Sequence, residues 1–118
     1  MNYIEIPVTD VGAAKTFFTS AFGWSFIDYG PDYASFQEAG IDGGIYTSAH
    51  RPPRISGDDD RATFGPLIVL YANNLANMQA KIETAGGMIS KSIFEFPGGK
   101  RFHFFDPSGN ELAVWSDQ

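Results

Sequence analysis

Sliding the chain along itself by 64 residues brings Ile4 onto Ile68, Ile6 onto Leu70, Asp10 onto Asn74, Val11 onto Leu75, Phe18 onto Ile82, Ala21 onto Ala85 and Gly23 onto Gly87. Self-similarity of this period means that one supersecondary unit is built twice. In each copy a short apolar run leads to a residue suited to cap a helix, Asp10 in the first and Asn73 or Asn74 in the second. An apolar stripe with helical spacing follows: Val11, Ala14, Phe17, Phe18, Ala21 and Phe22, then Leu75, Met78, Ile82 and Ala85. Gly23 and the pair Gly86-Gly87 stand where a left-handed residue would end each helix. Three strand segments come next in each copy, over about 24–30, 32–38 and 41–48, then about 88–95, 100–106 and 110–116. Turn residues divide them, notably Gly30-Pro31-Asp32, Pro97-Gly98-Gly99 and Asp106-Pro107-Ser108-Gly109.

The predicted unit is therefore β-α-β-β-β. Residues 1–48 form module one and residues 67–118 module two, joined by a polar linker over 49–66, with the whole chain 1–118 making one α+β domain. The linker holds Asp58, Asp59 and Asp60, but adjacent carboxylates lack the alternating ligands and later glutamate of a calcium loop. Each helix covers one face of its own sheet and leaves the other bare. Two curved mixed sheets set side by side would enclose a shared cup between those bare faces.

The 118 residues are 43% apolar and 15% aromatic, enough for a packed core, and only 19% charged, too few for a disordered chain. No apolar run approaches the roughly 18 residues of a membrane span. The start Met1-Asn2-Tyr3-Ile4-Glu5 lacks the basic and apolar regions of a secretory signal, so a cytoplasmic location and no membrane partner are expected. The absence of cysteine removes disulfides, thiolate nucleophiles and cysteine-ligated metals. A net charge of −6 repels phosphate backbones, and no nucleic-acid partner is expected. The run Lys100-Arg101-Phe102-His103-Phe104-Phe105 faintly matches an RNA-recognition strand, but the acidic balance and the order of elements disagree.

The opening Ile4-Glu5-Ile6-Pro7-Val8-Thr9-Asp10, the stretch Ala14-Lys15-Thr16-Phe17-Phe18 leading to Ala21-Phe22-Gly23-Trp24, Gly43-Gly44-Ile45, and the closing Phe105-Asp106-Pro107-Ser108-Gly109-Asn110-Glu111-Leu112 occur in one order. Together with the duplication they resemble the vicinal oxygen chelate superfamily, which contains glyoxalase I, fosfomycin and bleomycin resistance proteins and extradiol dioxygenases. The resemblance covers nearly the whole chain. It implies two βαβββ modules, a small-molecule ligand, frequent homodimers and, in active members, one divalent metal held by side chains of the first and last strands of each unit. The slots that would hold that metal fall on Tyr3, on Leu67, on Ala113 and near Gly44 to Tyr46. Leucine and alanine cannot ligate a metal and tyrosine is an uncommon ligand, so no metal and no other cofactor is expected.

Side chains two apart on a strand share a face. If Tyr3 points into the cup, Glu5 does too. A three-residue loop between Asp106 and Asn110 would pair residue 103 with 113 and 105 with 111, sending Arg101, His103 and Phe105 to the face of Glu111, Ala113 and Trp115. A bulge at Gly109 would reverse every one of these. Candidate ligand contacts are thus Tyr3, Glu5, Leu67, Tyr71, Arg101, His103, Phe105, Glu111, Ala113 and Trp115. Glu5 and His103, as carboxylate and imidazole on opposite walls, are the candidate acid–base pair. Against this, a histidine among phenylalanines is commonly a packed residue, and a strand glutamate commonly pairs with a nearby base. Two functions remain open: a metal-independent module that binds a small organic molecule, and a glyoxalase/lyase- or dioxygenase-type enzyme using a metal through unusual ligands or Glu5 and His103 alone.

Overall fold

The computed structural model describes residues 1–48 and 66–118. The linker reading, His50 included, therefore lies outside the described residues except at Pro66. Module one runs β1 (Tyr3–Val8), α1 (Val11–Phe22), β2 (Ser25–Asp28), β3 (Tyr33–Gln37) and β4 (Asp42–Thr47). Module two repeats the order with β5 (Ile68–Tyr71), α2 (Leu75–Thr84), β6 (Met88–Phe96), β7 (Gly99–Phe105) and β8 (Glu111–Ser116). The sheets have the same topology, β1-β4-β3-β2 and β5-β8-β7-β6. In each, the first strand lies parallel to the last and the rest is antiparallel.

The expected caps form. Asp10 accepts a hydrogen bond from the Ala13 amide at 3.0 Å, and Asn74, not Asn73, accepts one from Asn77 at 3.0 Å. Gly23 closes α1 in the left-handed conformation, at φ 75°. Pro7 sits in β1, an edge strand that pairs, among the described residues, with β4 alone, a position where proline's missing N–H is tolerated.

One core runs through both modules. Ile6, Val8, Phe36 and Ile45 line it from the first sheet, Phe102, Phe104, Leu112 and Val114 from the second, and Phe17, Phe18 and Ile82 from the helices. Phe17 and Phe22 reach across to Phe104, with ring centroids 6.1 and 5.9 Å apart. The modules thus meet on their helix-bearing side, and the opposite face of each sheet looks away from that core, although His103, Phe105 and Ala113 on that face of the second sheet are themselves buried. A second tie joins the end of β1 to the β7–β8 turn. Asn110 Nδ2 donates to the Pro7 carbonyl at 2.7 Å, and the Thr9 amide to Ser108 Oγ at 2.9 Å.

Candidate functional site

The bare face of the first sheet carries Tyr3 and Glu5 on β1 and Tyr33 on β3, with β4 between them. Gly44 lies opposite both Glu5 and Ser35, and Tyr33 pairs with Tyr46. A Cβ on Gly44 would stand 2.3 Å from the Tyr33 hydroxyl. The missing side chain lets the Tyr33 ring lie across β4 and donate to Glu5 Oε2 at 2.8 Å. The Tyr3 and Tyr33 hydroxyls are 2.5 Å apart, and because the Tyr33 proton is committed to Glu5, Tyr3 is the donor between them. Partial burial, followed by the hydrogen bonds to Tyr3 and Glu5, pushes the Tyr33 hydroxyl up from its ordinary value.

Gly44→Ala is expected to swing this ring aside while the fold survives, since the obstructing atoms are the end of a side chain and not backbone. The Tyr33 hydroxyl should then titrate closer to ordinary tyrosine, read from the Cζ shift of ¹³C-labelled protein. An unchanged titration would show that the ring does not need the gap.

On the second sheet the β7–β8 turn settles the register. The Asp106 amide donates to the Asn110 carbonyl at 2.9 Å, closing a three-residue loop with Gly109 at φ 93°. Arg101 pairs with Trp115, His103 with Ala113 and Phe105 with Glu111, as the loop length predicts. β6 is irregular against β7, with register shifts between Ile89 and Lys91 and between Lys91 and Phe94. Such bulges bend a strand and re-aim its side chains. Ser90, at the first of them, donates to Glu111 Oε2 at 3.0 Å.

Three sequence-predicted residues come together here. Arg101 Nε and Nη2 lie 3.2 and 3.0 Å from His103 Nε2, and His103 Nδ1 lies 3.2 Å from Glu111 Oε2. A guanidinium can only donate, so Nε2 must offer a lone pair and the proton must sit on Nδ1, directed at Glu111. The contact between His103 and Glu111 is thus a hydrogen bond from a neutral ring to a carboxylate, although its distance also suits an ion pair. His103 is 1% exposed. Aromatic rings surround the guanidinium: Arg101 Cζ lies 5.8 Å from the Phe94 centroid and 5.6 Å from that of Phe96. Phe96 in turn packs near Trp115, and Trp115 near Tyr71, with centroids 6.3 and 5.1 Å apart.

The other predicted residues fall as follows. Ala113 is fully buried and Phe105 nearly so, while Leu67 is partly buried just before β5. Tyr71 is exposed, and its hydroxyl donates to Asp117 Oδ1 at 2.6 Å. Glu5 and His103 stand on different sheets, and among the described residues no hydrogen bond joins the two groups. Sequence reasoning missed Tyr33, Phe94, Phe96 and Ser90. The Gly43-Gly44 pair was the one available signal for Tyr33, because a glycine in a strand often marks a close approach. The bulges that aim Ser90 and Phe94 leave no local mark in the sequence.

Among the described residues no helix is long and apolar enough to cross a membrane. The sequence pattern of the Glyoxalase/Bleomycin resistance protein/Dioxygenase superfamily matches residues 1–114. The anthracycline biosynthesis protein DauV of a Streptomyces species is 30% identical over 125 residues, which cover 96% of this chain and 45% of DauV. The chain thus spans less than half the length of that relative. Among solved structures, a glyoxalase/bleomycin resistance protein/dioxygenase family enzyme from Burkholderia phytofirmans superimposes with a TM-score of 0.80 at 13% identity, over 99% of this chain and 98% of that one. The E126Q mutant of the fosfomycin resistance protein FosX from Listeria monocytogenes, complexed with Mn(II) and a dihydroxypropylphosphonic acid, gives a TM-score of 0.77 at 16% identity, over 98% and 87%. With its duplicated βαβββ plan matched over nearly all its length, the chain belongs to the glyoxalase/bleomycin resistance protein/dioxygenase superfamily.

Proposed function

We propose that this protein binds a small organic molecule on the bare faces of its sheets and does so without a divalent metal. The observation that carries the reading is the Arg101–His103–Glu111 chain set among Phe94, Phe96 and Trp115. Flat apolar walls with a few oriented polar groups are the usual make-up of a small-molecule site. The donor chemistry argues against a metal. Of the slots the family uses, Ala113 and Leu67 bring no donor atom, and the one near Gly44 to Tyr46 holds no carboxylate, with Gly44 overlain by the Tyr33 ring. Tyr3 shares its hydroxyl with Tyr33. The likeness to a protein of anthracycline biosynthesis is compatible with a planar organic ligand.

A homodimer would complete the site. The bare faces carry exposed apolar side chains, Tyr3, Ile27 and Tyr46 on one and Val69, Tyr71 and Phe94 on the other. A second copy with its first module over the second module of its partner would bury both sets and close a cavity between them. Enzymatic proton transfer is the rival reading, and the Tyr3–Tyr33–Glu5 chain is the arrangement that favours it. His103 fits that role less well, since its lone pair is already held by Arg101.

Protein purified without chelator should hold substoichiometric transition metal by elemental analysis. Its calorimetric binding of planar aromatic probes should be unchanged after EDTA. Stoichiometric metal, with binding lost on chelation, would overturn the reading.

A further inference from the structure

We infer that the bare face of module one takes the primary ammonium group of an organic ligand, held by the Glu5 carboxylate among the rings of Tyr3, Tyr33 and Tyr46. This rests on the binding function proposed above and names the class of ligand. Tyr3 donates to Tyr33 and Tyr33 to Glu5 Oε2, so both hydroxyl protons run inward toward the carboxylate. Burial and these two hydrogen bonds push the Tyr33 hydroxyl up from its ordinary value, so it keeps its proton at neutral pH. What the chain offers a ligand is therefore acceptor capacity alone: the second Glu5 oxygen and the lone pairs of the Tyr3 hydroxyl. A carboxylate ligand finds no donor in that chain. A primary ammonium, with three N–H groups and no lone pair, matches it.

The charge around this chain points the same way. Residues 1–48 carry six carboxylates, Glu5, Asp10, Asp28, Asp32, Glu38 and Asp42, against one basic side chain, Lys15. Lys15 is paired with Asp28 at 2.7 Å. Among the described residues Glu5 makes no ion pair, and its bond from Tyr33 comes from a neutral phenol that leaves its charge in place. Residues 67–118 hold five carboxylates and four basic side chains, so the acidic balance of the chain is concentrated in module one. Asp42 stands opposite Tyr3 in the β1–β4 register and adds a second negative position to the face of Glu5. Tyr46 lies opposite Tyr33 on that same face, and the rings of Tyr3 and Tyr46 are exposed. An exposed carboxylate holds a cation weakly by itself, as does an exposed ring, but the two attractions add where a ligand touches both.

The test compares 2-naphthylmethylammonium, 2-naphthamide and 2-naphthoate on the full chain by calorimetry at low salt. The ammonium should bind about tenfold more tightly than the amide, and the naphthoate weakest. Glu5→Gln should remove most of that preference while the thermal transition persists, since Glu5 is exposed and a glutamine oxygen can still accept from Tyr33. Glu83→Gln takes the same charge from an exposed position of α2 and should leave the preference intact. An equal loss in both variants would assign the preference to net charge and overturn the inference. If Glu5→Gln does not fold, Tyr3→Leu takes its place and should lower the preference about threefold; an unchanged preference there would overturn the inference. Equal affinity of the wild-type chain for the three probes, or a preference that survives Glu5→Gln, would overturn it as well and leave the binding function standing. Binding of none would overturn the binding function with it.

Discussion

Phe104→Ala is expected to lower the unfolding free energy by about 3–5 kcal/mol, the range for removing a phenylalanine from a closed core. Phe104 is completely buried, and its ring meets Phe17 and Phe22 from the first module and Phe102 from its own strand. The cavity would open at the seam, where neither module can collapse to fill it without pulling away from the other. A domain of this size has roughly 5–15 kcal/mol in total, so the variant should be partly unfolded at modest urea. Glu83→Ala, at an exposed position of α2, is the control and should change stability by about 0.5 kcal/mol or less. Both should unfold in one transition, because a single core spans the modules. Two separate transitions in Phe104→Ala, or a loss no larger than the control's, would show that the modules stand independently.

Asp106→Ala should cost about 2–5 kcal/mol through a different mechanism. The Asp106 carboxylate accepts from the Ser108 amide at 3.0 Å, from the Asn110 amide at 2.8 Å and from Asn110 Nδ2 at 3.1 Å. Truncation leaves these donors without their acceptor in a turn where Asp106 is 1% exposed, at about 1–3 kcal/mol for each unsatisfied group. It also frees Asn110, whose amide holds the Pro7 carbonyl of the first module. Asp106→Asn keeps one acceptor oxygen and should cost less.

The pH dependence has a definite sign. Burial pushes the Asp106 carboxyl up from its ordinary value, against the pull of Asn110, Ser108 and Gly109. The folded carboxyl therefore takes a proton more readily than the unfolded one. Its contribution to stability is fully present below the unfolded value, near 3.8, and is lost as the pH rises through the higher folded value. Measured by urea denaturation, wild type should gain on Asp106→Asn as the pH falls through that window. The opposite slope would mean that the donated hydrogen bonds outweigh burial.

Much of the site was legible because strand geometry is local. The Asp106-Pro107-Ser108-Gly109-Asn110 turn specifies its own loop length, and loop length alone puts His103 opposite Ala113 and on the face of Arg101 and Glu111. Glu5 and Tyr3 share a face by the same alternation. Their partner Tyr33 is 28 residues beyond Glu5, and reaching it requires knowing that β4 lies between β1 and β3 with a glycine at the crossing. The Arg101–Phe94–Phe96 contacts depend on bulges in β6, and the extra residue of a bulge looks like any other strand residue in sequence.

Sequence by itself determined the duplicated unit, its two capped helices, the edge position of Pro7 and the side-chain alternation of the last hairpin. Each of these follows from interactions spanning a few residues, where period, capping groups and turn chemistry act directly. Tertiary structure alone decided that the modules join through Phe17, Phe22 and Phe104 with their bare faces turned outward, and that Glu5 and His103 belong to separate networks. Those outcomes depend on which apolar faces bury each other across the whole chain, and hydrophobic burial carries no direction that a local pattern could record.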